Sequence, residues 1–505
     1  MNASLRRSLP AVVVLIALVA IGAAATLDKA TPASTAAQQS KTSARDRATL
    51  IRQVAVSTAV RACPAGTDGT EDRVVLFASS SGTGGSAALG PLPQSGVKPA
   101  TTRPSTVTGE GQLSTVSIPA TGDTAHQQGW SVTASGAMAQ GIEAEVANSS
   151  GQASVRCGEP GSAAWFVGPG QQSGAARIQL DLMNVDSLAA TVDLNVITEG
   201  GAVQSGNDTG ITVPAHQLVT ESLSAQAGGS SVVAVEVRTT AGRIAADVSV
   251  SSSHGTASWL PAATAPSTKL VIPGVPPSGT QASLFLVVPG SGDARVNVAA
   301  LTTQGRLQPF GSQSIDLPAE SASDVQLTPL GGSAAGLVVT SNVPVTAAVL
   351  VPPTSSTNSL TGTTTTTPDS IGTFTSAAEP ITQQAVIAGN VTGNGTTAEL
   401  ALSAPGAAAQ VRLTETAEGA TAAAPQTITV PSGRTVTTQL KAPAGAKRGV
   451  PFTIVLTPVV GSGPVYGARI ETQAGNAVVS IVAATTALTT VGLPPVRESY
   501  SAVSP

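Results

Sequence analysis

Arg177-Ile-Gln-Leu-Asp-Leu-Met-Asn184, followed by Thr191-Val-Asp-Leu-Asn-Val-Ile197, is the stretch on which the fold reading turns. Ile178, Leu180 and Leu182 alternate with Gln179, Asp181 and Met183. Val192, Leu194 and Val196 alternate in the same way with Thr191, Asp193 and Asn195. A period of two puts successive side chains on opposite faces of a strand, so each run predicts a strand with one face buried and one wet.

The pattern recurs along the chain. An apolar-x-apolar-Pro motif appears as Val116-Ser-Ile-Pro119, Ile211-Thr-Val-Pro214, Ile315-Asp-Leu-Pro318 and Ile428-Thr-Val-Pro431, at offsets of 95, 104 and 113 residues (211 − 116, 315 − 211, 428 − 315). An apolar strand pair precedes each motif: RVVLFAS and SAALGPL, RIQLDLMN and TVDLNVI, SLFLVV and RVNVAAL, AELALS and QVRLTE. A further short strand and a hairpin follow it. A proline that ends a strand suits a terminus or an edge, since it donates nothing to a ladder. About seven short strands per hundred residues, with regular turns, is the pattern of an immunoglobulin-like β-sandwich. The expected fold is therefore all-β, with tandem immunoglobulin-like β-sandwich modules after one N-terminal hydrophobic helix. A β-propeller is the alternative, because repeated four-stranded units read similarly.

Composition agrees with an all-β chain. Only 11% of the 505 residues are charged, against about 25% in an ordinary soluble domain. Ser, Thr, Asn and Gln are left to solvate the sheet surfaces. Aromatics make up 2%, so Val, Leu, Ile and Ala must build the cores, while 52 Gly and 35 Pro supply turns and interrupt helices. The net charge is −4 and no basic stripe is present, which excludes a nucleic-acid binder.

Arg6 and Arg7 precede an apolar run at residues 9–25, LPAVVVLIALVAIGAAA, with polar sequence beyond it. Its 17 residues lie between a long signal-peptide core and a short spanning helix, and the small residues at 23–25 suit cleavage. No Cys lies near its end, which removes a lipoprotein anchor. The expected organisation is a signal peptide or signal anchor at 1–27, a polar stalk at 28–60, and β modules at 61–162, 163–260 and 261–353. A Thr-rich linker follows at 354–378, then a fourth β module at 379–490 and a tail at 491–505. The expected location is the extracellular face of the cell membrane, or outside the cell.

The two cysteines, Cys63 and Cys157, both lie beyond the hydrophobic run, in the compartment where disulfides persist. A Cys63–Cys157 disulfide would span 94 intervals (157 − 63), worth on the order of 4 kcal/mol in the chain-entropy model.

The chain resembles a family of secreted or membrane-anchored actinobacterial proteins that contain a large domain of unknown function. The resemblance rests on the single hydrophobic segment, on Cys63-Pro64, and on a second Cys leading to Trp165-Phe166-Val167-Gly168. It implies a location and an architecture, and no activity.

No catalytic, cofactor-binding or metal site is expected; the disulfide pair Cys63 and Cys157 is the sole site the sequence offers. His126, His216 and His254 lack any paired-His or His-x-Glu spacing, so a zinc enzyme has no ligands. His126 and His216 fall in similar places after the Pro motif. No Gly-x-Ser-x-Gly elbow joins a strand to a helix. Asp181 and Asp193 occupy outward faces of neighbouring expected strands, where solubilising the sheet is the plain role. Asp68, Glu71 and Asp72 form a small acidic group suited to a weakly held cation. Trp130, Trp165 and Trp259 read as core or joint-packing residues. The function expected is a non-catalytic exported cell-envelope protein, a structural or interaction scaffold whose partners are envelope proteins or glycans, with the membrane reached through the N-terminal segment if that segment is uncleaved. The second reading is an envelope glycan- or peptidoglycan-binding module or a cryptic enzyme.

Overall fold

The computed structural model describes residues 52–493 apart from 67–71, 80–83, 97–104, 108–112, 119–127, 149–153, 207, 254–256, 278–281, 310–312, 354, 359–362, 367–370 and 474–476. Two compact units divide the chain. In the smaller, Arg52–Ala55 pairs antiparallel with Thr490–Leu493. The larger, Val56–Thr489, holds all the remaining described strands. Among the described residues the only helical elements are two short 3-10 turns, Ala137–Ala139 and Gln171–Ser173. No described helix is long and apolar enough to cross a membrane, and the hydrophobic run at 9–25 lies outside the described residues.

Four consecutive stretches of the large unit share one strand order. In the second, the strands are Ala163–Pro169, Arg177–Asn184, Ala190–Thr198, a split fourth strand Gly201–Val203 and Ile211–Val213, Gln217–Ser222, Val232–Ala241, Ala245–Ser251 and Ser258–Leu260. One sheet runs in the order first, sixth, third, fourth, and the other fifth, second, seventh, eighth. The first repeat has the same order with Thr58–Cys63, Asp72–Ala78, Gly85–Leu92, Ser105–Val107, Leu113–Ile118, Gly129–Gly136, Ile142–Asn148 and Ser154–Arg156. The fourth uses Ala385–Asn390, Thr397–Ala404, Ala409–Ala417, Gln426–Val430, Arg434–Gln439, Phe452–Pro458, Tyr466–Gln473 and Ala477–Ala483. The third begins at Ser267–Val275, Ala282–Val288 and Ala294–Leu301 and continues through Arg306–Leu307, Ile315–Leu317 and Ser321–Leu327 to end at Thr373–Ser376. Its sixth and seventh strands are one 17-residue strand, Ala335–Val351, whose first half pairs in one sheet and second half in the other.

Strands two, three, five and six occupy the places they have in an immunoglobulin sandwich. The first and seventh have exchanged sheets: the first flanks the sixth and the seventh flanks the second, whereas in the immunoglobulin order the first flanks the second and the seventh the sixth.

Alternation puts Ile178, Leu180 and Leu182 into the core between the two sheets of the second repeat, with Val192, Leu194 and Val196 facing them. The other face of these strands is not wet. Met183 is fully buried and Asp181 is 1% exposed, because every sheet also packs on a sheet of the neighbouring repeat. Ala62 and Leu92 of the first repeat meet Met183, Leu218 and Ala245 of the second. Phe285, Val287, Ala348 and Leu350 of the third join the apolar cluster of the second. Ala401, Ala468 and Ile470 of the fourth join that of the third, and Tyr466 packs on Val271, Leu301 and Val338. The series then closes: Val75, Phe77 and Leu113 of the first repeat pack on Val386 and Ala388 of the fourth. Each first-sixth-third-fourth sheet thus lies on the fifth-second-seventh-eighth sheet of the next repeat, and the fourth repeat returns to the first.

The close approaches use small residues. A Cβ on Gly336 would stand 2.4 Å from Ser403 Oγ across the third joint, and one on Gly158 3.3 Å from Ala245 Cβ across the first. Glycine lets the backbones come together where a side chain would hold them apart.

Other expectations shift. The Pro motif marks the fourth strand in the second, third and fourth repeats, but Val116-Ser-Ile118 lies in the fifth strand of the first. The fourth strand there is Ser105–Val107, so the apparent first offset joined strands that are not equivalent. The expected linker at 354–378 contains Thr373–Ser376, the eighth strand of the third repeat, and a hairpin of Ser355–Asn358 with Thr363–Thr366. The expected stalk at 28–60 runs into Arg52–Ala55 and Thr58–Cys63, and the expected tail into Thr490–Leu493. Thr- and Ser-rich sequence makes ladders as readily as apolar sequence when the partner strand is supplied by the rest of the fold.

Candidate functional site

The first and eighth strands are the edges of their sheets, and several of these edges converge on a cavity of about 250 Å³. Ser154 and Arg156 of the first repeat, Ala164, Asp247 and Trp259 of the second, and Ile481 of the fourth contribute to its wall.

Beside it lies the disulfide. Cys63 at the end of the first strand is bonded to Cys157 just after the eighth, with Cα atoms 4.3 Å apart. The adjoining residues Ala62 and Gly158 exchange two backbone hydrogen bonds, of 2.9 and 2.8 Å. The bond therefore ties together the two sheets of the first repeat at their edges.

Among the described residues, most of the buried charges fall into two groups. In the first, Arg156 donates from Nε and Nη2 to Glu143 Oε2 and Oε1 at 2.6 and 2.5 Å. Arg61, 3% exposed, stands 3.4 Å from Glu143 and 3.4 Å from Glu159. Two cations are matched by two carboxylates. Asp181 and Asp247 remain, directly opposite each other on neighbouring strands and both buried. Asp181 Oδ1 accepts from Thr220 Oγ1 at 2.9 Å and from Gln179 Nε2 at 3.3 Å, while Oδ2 of each aspartate has no hydrogen-bond partner in the chain. Burial pushes the Asp181 carboxyl up to about 6. Burial, reinforced by the charge of Asp181 and opposed by Arg156, holds Asp247 well above the usual range. Desolvation next to a like charge favours the neutral acid.

The second group lies where the fourth repeat meets the first. Arg469, fully buried, donates from Nη2 to Glu145 Oε1 at 2.9 Å, to Ser480 Oγ at 2.8 Å and to Ser154 Oγ at 3.0 Å. Its Nη1 reaches the Ala388 carbonyl at 3.3 Å and lies 3.7 Å from Glu471. Glu471 also accepts the Val391 N–H at 2.8 Å. Burial raises its carboxyl, with Arg469 opposing. Arg469 thus joins carboxylates of both repeats, an arrangement that ties the joint.

Asp181 and Asp193 are not brought together: they lie in different sheets, and Asp193 accepts the Gly210 N–H at 2.8 Å. Asp181 does not solubilise a surface; it meets Asp247, which alternation alone did not single out. His126, His254, Asp68 and Glu71 lie outside the described residues, and Asp72 is largely buried. His216 precedes the fifth strand of its repeat with φ of 54°, and His126 follows the fifth strand of the first, so the two are not equivalent. Trp130 and Trp165 pack in cores, and Trp259 of the second repeat packs in the core of the first, as joint residues do. Among the described residues no group of three or more His, Cys, Asp or Glu is placed to hold a metal ion. Glu145, Asp247 and Arg469 carry one weak sequence signal: a charge within a strand of a chain with few charges.

The model of DUF5719, a family of unknown function, matches residues 118–441 of the chain. No curated protein matches it.

Proposed function

Because the chain belongs to DUF5719, a family of unknown function, we propose from its geometry that it is a non-catalytic interaction scaffold of the cell envelope. In this reading the large unit is a set of tandem sandwich modules closed on themselves in a propeller-like ring, outside the membrane, with the hydrophobic segment at residues 9–25 as its tether where it is not cleaved. Envelope proteins or glycans are its partners. The observation that carries the proposal is the closed series of sheet joints, which spends both faces of the sheets on packing and leaves rims and loops to meet a partner. Closure removes the face that an aggregating sheet would expose and makes a rigid platform. The Cys63–Cys157 disulfide suits an oxidising compartment. The Arg469 group suits a protein in which ionic residues serve architecture rather than turnover.

The test is affinity capture of the full chain from the envelope of its own cell, with the hydrophobic segment intact. Reproducible recovery of a defined set of envelope proteins or of a glycan supports the proposal. Release of a hydrolysed or transferred envelope product by the purified chain overturns it.

A further inference from the structure

We propose that the cavity at the converging edge strands binds a small organic cation, an amine or amidine carried on an apolar body about the size of one aromatic ring. This goes beyond the scaffold reading, and either can fail without the other.

The size comes from the cavity, about 250 Å³. Sites for drug-sized ligands occupy roughly 300–1,000 Å³, so this one admits a smaller molecule. The apolar body follows from the wall, where Trp259, Ile244 and Ile481 are the large side chains. The positive charge follows from the accounting of the wall's own ions. Arg61 and Arg156 are met by Glu143 and Glu159. Asp247 is left on the cavity wall, 5% exposed and with Oδ2 unpartnered: Arg156 acts on it by charge but gives its hydrogen bonds to Glu143, and Asp181 stands opposite it on the neighbouring strand. An unpartnered buried carboxyl oxygen costs free energy until a donor reaches it. An ammonium or amidinium supplies both donors and charge, and the Asp247 carboxyl is the acidic group of the second repeat that it meets on the wall. A bare metal ion fits less well: calcium takes about 6–8 oxygen ligands, and this wall turns the hydrocarbon of Trp259, Ile244 and Ile481 to the cavity. A neutral ligand leaves the pair of acids uncompensated whenever they ionise.

Benzamidine is the probe, and benzamide is its neutral counterpart of nearly the same shape. Titration calorimetry on the full chain at pH 7.5 is expected to show one benzamidine bound per chain and benzamide at least about tenfold weaker, as befits a charge-assisted pair. Asp247→Asn is expected to remove most of that preference, and Asp316→Asn, on an exposed strand, to leave it intact. Ala164→Met, which fills the cavity without touching a charge, is expected to abolish binding. Equal affinity for benzamidine and benzamide in the unmodified chain overturns the proposal whatever the variants do. So does the absence of benzamidine binding, or binding unchanged by both cavity variants.

Discussion

Glu145→Ala is expected to loosen the joint between the first and fourth repeats. Glu145 and Arg469 are 3% and 0% exposed at the side chain and 2.9 Å apart. Removing one member of a buried pair generally costs about 3–5 kcal/mol, because the survivor is a buried charge without its counterion. Glu471 remains, but at 3.7 Å, and the Ser154 and Ser480 hydroxyls continue to accept from Arg469. Partial compensation places the cost near the lower end, about 3 kcal/mol, or about two orders of magnitude in the unfolding equilibrium. Glu145→Leu with Arg469→Met removes both charges at similar volume and is expected to return to within about 1 kcal/mol of the parent. The assay is urea denaturation followed by the fluorescence of the three buried tryptophans, with hydrogen exchange at the Val391 amide reporting the joint itself. If Glu145→Ala shifts stability by less than about 1 kcal/mol, or if the double variant is as destabilised as the two single changes added together, the joint does not depend on this pair.

The Asp181 carboxyl stands at about 6 in the folded chain against 3.8 in an unfolded one, so the folded state holds the proton more tightly. Its contribution to stability is fully present below pH ~4 and is lost as pH rises towards 6, by about 3 kcal/mol. Thermal midpoints from pH 4 to 7 should show that fall and its reduction in Asp181→Asn; superimposable profiles refute it. Replacing Cys63 and Cys157 by Ser reopens a span of 94 residues and is expected to cost about 4–5 kcal/mol in the chain-entropy model; urea midpoints of the variant and the oxidised parent measure it. Gly170→Ala puts a Cβ 2.3 Å from the Ser230 carbonyl oxygen, whereas Gly406→Ala meets nothing within 4 Å. The first should lower the thermal midpoint by the equivalent of about 1–3 kcal/mol and the second should not; equal effects would show that the Ser230 backbone simply moves aside.

The strands were legible because a period of two survives any tertiary context: Ile178, Leu180 and Leu182 must share a face wherever the strand lies. The second buried face was not. Beside large residues such as Met183 and Phe77 it draws on Ala62, Ala245, Ala388, Gly158 and Gly336, and small residues look the same in a sequence whether they meet water or another sheet. Arg469, within Tyr466–Gln473, reads like any strand with a solvated face. Its partner Glu145 is 324 residues away, and a single sequence records no such pairing. The displaced motif in the first repeat has a different cause. Apolar-x-apolar-Pro is short enough to arise in the fourth or the fifth strand, and only the ladder tells them apart.

The return of the fourth repeat to the first also sets the order in which the molecule can be completed. Val75, Phe77 and Leu113 are made early, but Val386 and Ala388, which cover them, come some 270 or more residues later. During synthesis from the N-terminus the first repeat therefore waits with an apolar sheet face bare, while the second and third can dock as they emerge. Contacts of such long sequence separation form slowly, and waiting surfaces of this kind are where nascent chains stick to one another. A chain released before the fourth repeat keeps that face permanently, so premature termination here yields a sticky product rather than a smaller working one.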